Sequence, residues 1–217
     1  MQGVFVTGTD TGVGKTLVSA ALVSLYKGRG LRVAGLKPIV SGIDAQGQWE
    51  DVETLRTQSA PPRTVEQCSV YRFEPAIAPH WAARLAGRSV DLGAVTDFVR
   101  EQARGVDRIV VEGAGGFLVP LAGAKGFADL AQDLGLPVVL VVGLRLGAIN
   151  HALLSYEAIK ARGLAVCGWV GSSLSSDVAP GTIEGLHEYL AAPCLGIIPY
   201  HVPVDPEVAA SHMVLPS

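Results

Sequence analysis

Val4-Phe5-Val6-Thr7-Gly8-Thr9-Asp10-Thr11-Gly12-Val13-Gly14-Lys15-Thr16 joins a short β-branched and aromatic run to three glycines and then to Lys-Thr. Beyond it, Leu17, Val18, Ala21, Leu22 and Leu25 recur at helical spacing on one face, and Lys27, Gly28, Arg29 and Gly30 close that segment. Strand, glycine-rich loop and helix are the context that a phosphate-binding loop requires. Glycines let backbone N–H groups turn toward phosphate oxygens, and the helix N-terminus adds a favourable dipole. Lys15 is placed to reach β- and γ-phosphates, and the Thr16 hydroxyl to ligate Mg2+. Five residues separate Gly8 from Gly14, one more than in the strict form of this loop, so it is a variant. An ordinary glycine turn with a surface lysine is the bland alternative, and the flanking strand and helix weigh against it.

The alternation continues along the chain. Residues 31–36, 108–111, 137–142, 165–170 and 194–198 read as strands. Helices are expected from Asp51 onward, over 79–85, from Asp91 to about 103, over 128–134 up to Gly135, over 149–161 and near 182–190. Pro61-Pro62 breaks the chain and 69–73 reads as a short extended piece. Pro38 disfavours a helical continuation through Lys37, so 37–42 is expected to leave its strand as a loop. Glu112-Gly113-Ala114-Gly115-Gly116 reads as a second glycine-rich turn, and 171–181 as a serine-rich loop. Strands alternating with helices, with few hairpin signals, indicate an α/β fold: a doubly wound, mostly parallel sheet with helices on both faces, like that of P-loop NTPases. One domain over 1–217 is expected, since no linker or repeat interrupts it. Ligands of such sheets bind at the carboxyl ends of strands, so 8–16, 37–41, 112–116, 143–150 and 171–173 share one functional edge.

Composition narrows the class. The chain is 49% hydrophobic and 17% charged over 217 residues, enough apolar material for a sizeable core and too much for disorder. A net charge of −3 without a basic run argues against nucleic acid as a partner. No apolar run reaches membrane-spanning length and the first strand begins beside Met1, so no membrane partner or signal peptide is expected and the cytoplasm is the expected location. Cys68, Cys167 and Cys194 are odd in number and far apart, as reduced thiols would be. The five histidines show no metal-ligand spacing.

A phosphate-binding loop takes a nucleoside triphosphate with Mg2+, and the metal needs carboxylates beyond Thr16. Glu112 ends a strand buried on both faces; an exposed strand-end acid is the alternative. Asp51 stands in the first turn of a helix, where an acid also serves the helix dipole without any other function. Lys37, at the end of a strand beside the phosphate loop, could stabilise charge on a transferred phosphoryl group or could be a solvated surface lysine. Arg145-Leu146-Gly147-Ala148-Ile149-Asn150-His151 leads into a helix whose free N–H groups could hold an anion, although Asn150 could equally serve as a cap.

Gly8-Thr-Asp-Thr-Gly-Val-Gly-Lys-Thr16, Lys37-Pro-Ile-Val-Ser-Gly42, Val111-Glu-Gly-Ala-Gly-Gly116 and Gly147-Ala-Ile-Asn-His151 together resemble the dethiobiotin synthetase family, in order and at fitting intervals over nearly the whole chain. The resemblance implies a ligase of biotin synthesis that closes a ureido ring. One amine of 7,8-diaminononanoate takes up CO2, supplied from bicarbonate, as a carbamate. ATP phosphorylates the carbamate, and the second amine attacks the mixed anhydride. The resemblance further implies that Thr16, Asp51 and Glu112 hold Mg2+, and that Gly12, Val13, Gly14, Lys15, Thr16, Leu17, Asp51, Glu112, Gly113, Ala114 and Gly115 line the nucleotide. Thr11, Lys37 and Ser41 would face the diamine and carbamate, with Lys37, Lys15 and Thr11 the catalytic set. Ser172, Ser173, Pro199, Tyr200 and His201 would stand on the base side. A homodimer is implied, in which Gly147, Ala148 and Asn150 of one subunit receive the substrate carboxylate held by the other. Two positions depart from the family pattern: Gly12 stands where Glu is common, and Ser172 where an Asn commonly reads the adenine.

Three other protein classes share part of this pattern. Partition and septum-positioning ATPases share the variant loop but carry a lysine five residues before the loop lysine, where this chain has Asp10. Amide ligases of the cobyrinate type carry a glutaminase domain, for which 217 residues leave no room. A non-enzymatic nucleotide-binding module leaves Lys37 and Glu112 unexplained.

Overall fold

The computed structural model describes residues 1–200 and 205–216. The chain enters on strand β1 (Gly3–Gly8), crosses the phosphate loop into helix α1 (Lys15–Gly28) and returns on β2 (Val33–Leu36). A side excursion follows: β3 (Ile39–Ser41), α2 (Glu50–Gln58), α3 (Val65–Cys68), β4 (Tyr71–Phe73), α4 (Pro79–Leu85) and α5 (Leu92–Gln102). The chain re-enters the sheet on β5 (Arg108–Gly116), makes a small hairpin of β6 (Pro120–Ala122) and β7 (Lys125–Gly126), and passes through α6 (Phe127–Leu134). It ends with β8 (Val138–Leu144), α7 (Ala148–Ala161), β9 (Val166–Ser173), α8 (Thr182–Tyr189), β10 (Cys194–Ile198) and α9 (Pro206–Ser211).

Six strands form one parallel sheet in the order β10-β9-β8-β1-β5-β2. β1 therefore lies inside the sheet, between β8 and β5. Alternate residues along a strand face opposite sides. Phe5, Ile109, Val111, Leu140 and Val142 pack into one core with residues of α5, α6, α7 and α8. Val4, Val6, Val110, Val139 and Val141 pack into a second core with Val18, Ala21 and Leu22 of α1 and Ala209 and Ala210 of α9. Two buried faces explain why these strands are nearly continuous apolar runs. A side chain the size of Leu140, fully buried here, contributes about 2–3 kcal/mol by leaving water. Among the described residues no helix is long and apolar enough to cross a membrane.

Several boundaries differ from the sequence expectation, each for a local reason. Residues 112–116, expected as a turn, continue β5, because Gly8 and Gly116 pair across a register shift with no side chain between the two backbones. Residues 171–173, expected as loop, continue β9, held by Gly143 opposite Ser172 and Leu144 opposite Ser173 on β8. Residues 39–41, expected as loop, pair with β4 in a separate two-stranded sheet. The hairpin β6–β7 and the helices α3 and α9 went unread because each is too short to show a period. α3 does carry a legible start, the reciprocal capping pair of Thr64 and Gln67.

Candidate active site

The phosphate loop leaves β1 at Gly8 and reaches α1 through two glycines in the left-handed region, Gly12 (φ 72°) and Gly14 (φ 87°). Gly14 is also the residue preceding the helix, and a Cβ there would stand 2.7 Å from Ser172 Oγ. Glycine is needed there on both counts. The loop is braced from its own side: Lys15 Nζ donates to Asp10 O at 2.8 Å, and Asp10 accepts from its neighbour's amide, Thr11 N, at 2.7 Å. The Arg145 guanidinium, in the loop after β8, pairs with Asp10 at 2.5 Å. Lys15 is only 6% exposed. Burial, reinforced by repulsion from Lys37, pulls its pKa down to about 8 despite the nearby acids.

Three elements deliver the charged floor beside the loop. Glu112 comes from the interior of β5, Lys37 from the link between β2 and β3, and Asp51 from the first turn of α2. The approach to α2 is shaped by Asp44, whose carboxylate accepts from the amides of Gln46 and Gln48. Lys37 Nζ lies 2.6 Å from Glu112 Oε1 and 2.7 Å from Asp51 Oδ2. Thr16 Oγ1 lies 2.6 Å from Asp51 Oδ1 and 2.9 Å from Glu112 Oε1, and its one hydrogen can serve only one of them. Glu112 is 0% exposed and Lys37 3%.

The charges hold one another. Burial pushes the Glu112 carboxyl up and the nearby Asp51 charge adds to that, with Lys37 offsetting only part. For Lys37, burial acts downward, but the Glu112 and Asp51 carboxylates outweigh it and raise its pKa. For Asp51, burial acts upward, yet the Lys37 ammonium and the Thr16 hydroxyl hold the carboxyl below its usual range. Glu112 Oε2 is buried and makes no hydrogen bond.

These residues line a cavity of about 780 Å³. Thr11, Gly12, Gly14, Lys15, Thr16, Leu17, Lys37, Ser41, Asp51, Glu112, Ala114 and Gly115, all expected from the sequence, border it. Sequence reasoning missed Glu50, Thr54, Ala76, Ile77, Ala78, Pro79, Val119 and Pro206. Glu50 and Thr54 were findable, because they flank Asp51 on α2 at helical spacing. The wall at 76–79 carries no pattern of its own; it is held by Ser41 Oγ donating to Ile77 O at 2.7 Å.

The other expected residues stand elsewhere. The Val13 side chain is buried beneath the loop against Gly8 and Gly143. Gly113 faces Phe5 and Phe127 in the core. Ser172 is 4% exposed and packs under Gly14, with the less buried Ser173 following it at the end of β9. Pro199 and Tyr200 follow β10, with Tyr200 exposed, and His201 lies outside the described residues. Gly147 (φ 90°) precedes α7, and both it and Asn150 are exposed, while Ala148 is buried; none borders the cavity. All three cysteines are free, and burial pushes the thiols of Cys68 and Cys167 up to about 12 and about 11.

Among the described residues no group of three or more His, Cys, Asp or Glu could hold a metal. Two carboxylates and a hydroxyl do converge beside the phosphate loop, and one buried carboxylate oxygen is unsatisfied. That sparse oxygen set fits Mg2+, which takes a few protein oxygens and completes its shell with phosphate and water.

Residues 2–208 match a family model described as an AAA domain. Two curated relatives are named ATP-dependent dethiobiotin synthetase BioD. That of Pseudomonas paraeruginosa is 46% identical, over 99% of this chain and 97% of its own length. That of Ralstonia nicotianae is 44% identical, over 96% and 93%. Among solved structures, a ParA family ATPase from Chlorobium tepidum superposes with a TM-score of 0.59 at 13% identity, covering 98% of this chain and 91% of that one. The septum site-determining protein MinD from Pyrococcus horikoshii, complexed with Mg-ADP, gives 0.56 at 17%, covering 97% and 86%. These two likenesses are of fold alone.

The depressed pKa of Lys15 makes phosphate binding sensitive to alkali. Lys15 is charged below about pH 8 and neutral above it, whereas a bound triphosphate keeps it charged. The affinity of a non-hydrolysable ATP analogue should therefore fall by about tenfold between pH 7 and pH 9. Titration calorimetry across that range checks this, and a flat profile would remove Lys15 from the phosphate contact.

Proposed function

The chain belongs to the dethiobiotin synthetase family, ATP-dependent ligases of biotin biosynthesis, and we propose that the cavity beside its phosphate loop is where the ureido ring closes. The observation that carries this reading is the buried Lys37 ammonium beside Lys15, with Asp51, Glu112 and Thr16, at the end of a cavity whose other wall is apolar.

One amine of 7,8-diaminononanoate adds to CO2, loses a proton and becomes a carbamate. Thr11, Ser41 and Lys37 border the space this group would fill, and Ala76, Ile77, Ala78, Pro79 and Val119 offer apolar surface to the alkyl chain. A carbamate oxygen then attacks the γ-phosphorus of ATP, the bond to the β-phosphate oxygen breaks, and ADP leaves. Lys15 and Lys37 supply two positive charges near the place where negative charge gathers on the transferred phosphoryl group. The second amine attacks the carbonyl carbon of the anhydride, expels phosphate and closes the ring. Thr16, Asp51 and Glu112 would hold Mg2+, which supplies charge neutralisation at the phosphates. The backbone of 12–16 cradles the phosphate oxygens, and Ala114 and Gly115 border the cavity beside it.

We further infer a homodimer and a cytoplasmic location, with residues 1–217 acting as one unit. Leu146 and Leu154 are 89% and 62% exposed and flank Asn150 at four-residue spacing on and before α7. That face, with the free N–H groups of α7, suits a second subunit presenting the substrate's carboxylate.

Two expectations follow. Glu112→Gln should raise the Mg2+ needed for half-maximal turnover by about ten- to a hundredfold, and more than Asp51→Asn does, because Glu112 is held on a buried strand while Asp51 reaches the metal from a helix end. Activity titrated against Mg2+ checks this, and an unchanged requirement in Glu112→Gln would take it out of the metal site. Base selection should be weak, since the Ser172 hydroxyl is short and packed under Gly14, and a bidentate amide contact worth roughly 1–3 kcal/mol is missing. kcat/KM should favour ATP over CTP, GTP and UTP by less than about a hundredfold; rejection of all three by about a thousandfold would contradict it.

A further inference from the structure

Lys37 has a catalytic place in the reading above, yet its ammonium points at the carboxylates rather than into the open cavity. We propose that Lys37 is an internal placeholder for the divalent cation. Without nucleotide its ammonium fills the cation position between Asp51 and Glu112, and metal arriving with the triphosphate releases it toward the carbamate. The inference rests on the metal set proposed above.

One shared oxygen and two like charges set the two occupants in competition. Lys37 Nζ is 2.6 Å from Glu112 Oε1, the same atom that lies 2.9 Å from Thr16 Oγ1. It is also 2.7 Å from Asp51 Oδ2, while Thr16 approaches the other oxygen of that carboxylate. A metal held by Thr16, Asp51 and Glu112 would compete with the ammonium for Glu112 Oε1 and repel it at close range. That competition favours departure of the ammonium as the metal enters.

The fold permits that exchange. The backbone of Lys37 is pinned by its N–H donating to Cys68 O at 2.9 Å and by Pro38 after it, so the movement is confined to the side chain. Its stem already borders the cavity beside Lys15 and Ser41. The placeholder is also incomplete, because Glu112 Oε2 stays buried and unbonded while Lys37 is in position. The arrangement keeps two buried acids neutralised in the free protein, and it withholds the catalytic ammonium until metal and nucleotide are both present.

The test uses the full chain and Mn2+ as the probe, without nucleotide. Wild type should bind Mn2+ weakly by titration calorimetry or paramagnetic resonance, with little rise in Tm. Lys37→Met should bind at least about tenfold more tightly and show a larger Mn2+-induced rise in Tm, and Lys37→Gln should repeat the result should the methionine variant fold poorly. Lys15→Met is the control that removes a neighbouring positive charge without freeing a carboxylate, and it should tighten Mn2+ binding far less. Equal affinity in wild type and both Lys37 variants overturns the proposal, as does equal tightening in Lys15→Met. Adding Glu112→Gln to Lys37→Met should abolish the gain. Gain that persists in the double variant shows Mn2+ bound elsewhere, and it removes the metal assignment together with the placeholder built on it.

Discussion

A lysine ammonium buried between two carboxylates is the contact on which the rest of this structure turns. Charges removed from water are costly, and removing one partner of such a set leaves the others uncompensated. Lys37, Glu112 and Asp51 come from three separate elements, so their pairing ties the β2–β3 link, strand β5 and helix α2 to one point. Thr16 adds the fourth tie, from the first turn of α1. The sheet order serves that point directly, because β1 and β2 both pair with β5 in parallel and deliver their carboxyl ends beside Glu112.

The site is divided by chemistry. One side is backbone amide and cation, suited to phosphate. The other, at 76–79 and Val119, is apolar and suited to an alkyl chain. The charged floor lies where the two meet. The ParA family ATPase shares the fold alone, and the position where the sequence reading looks for a partition-type lysine is Asp10, paired with Arg145. In the proposed reaction the second cation is Lys37, from the chain's own interior.

Much of this was legible in the sequence because it is local. The run 4–16 shows strand, loop and helix within a dozen residues. The apolar stretches around Val110 and Leu140 announce strands buried on both faces, and Glu112 shows itself by following one of these runs, although the strand continues through it. What stayed hidden is long-range. Nothing near Lys37 tells that its ammonium meets acids 14 and 75 residues away. Ile77 becomes a wall only because Ser41 holds its carbonyl. Ser172 reads as following a strand, yet it lies within β9 and is packed beneath Gly14, a relation set by how β9 lies in the sheet rather than by its neighbours in sequence. Glycines 113 and 116 read as a turn, whereas they lie in β5, with Gly116 paired to Gly8 of β1.

The central claim is that phosphate passes from ATP to a carbamate of the diamine. A single turnover with 18O-labelled bicarbonate, quenched and examined by mass spectrometry, tests it most directly. Attack by the carbamate oxygen, followed by ring closure with cleavage of the carbon–oxygen bond, predicts one labelled oxygen in the inorganic phosphate released. Phosphate carrying only oxygen from ATP and solvent water would contradict the account.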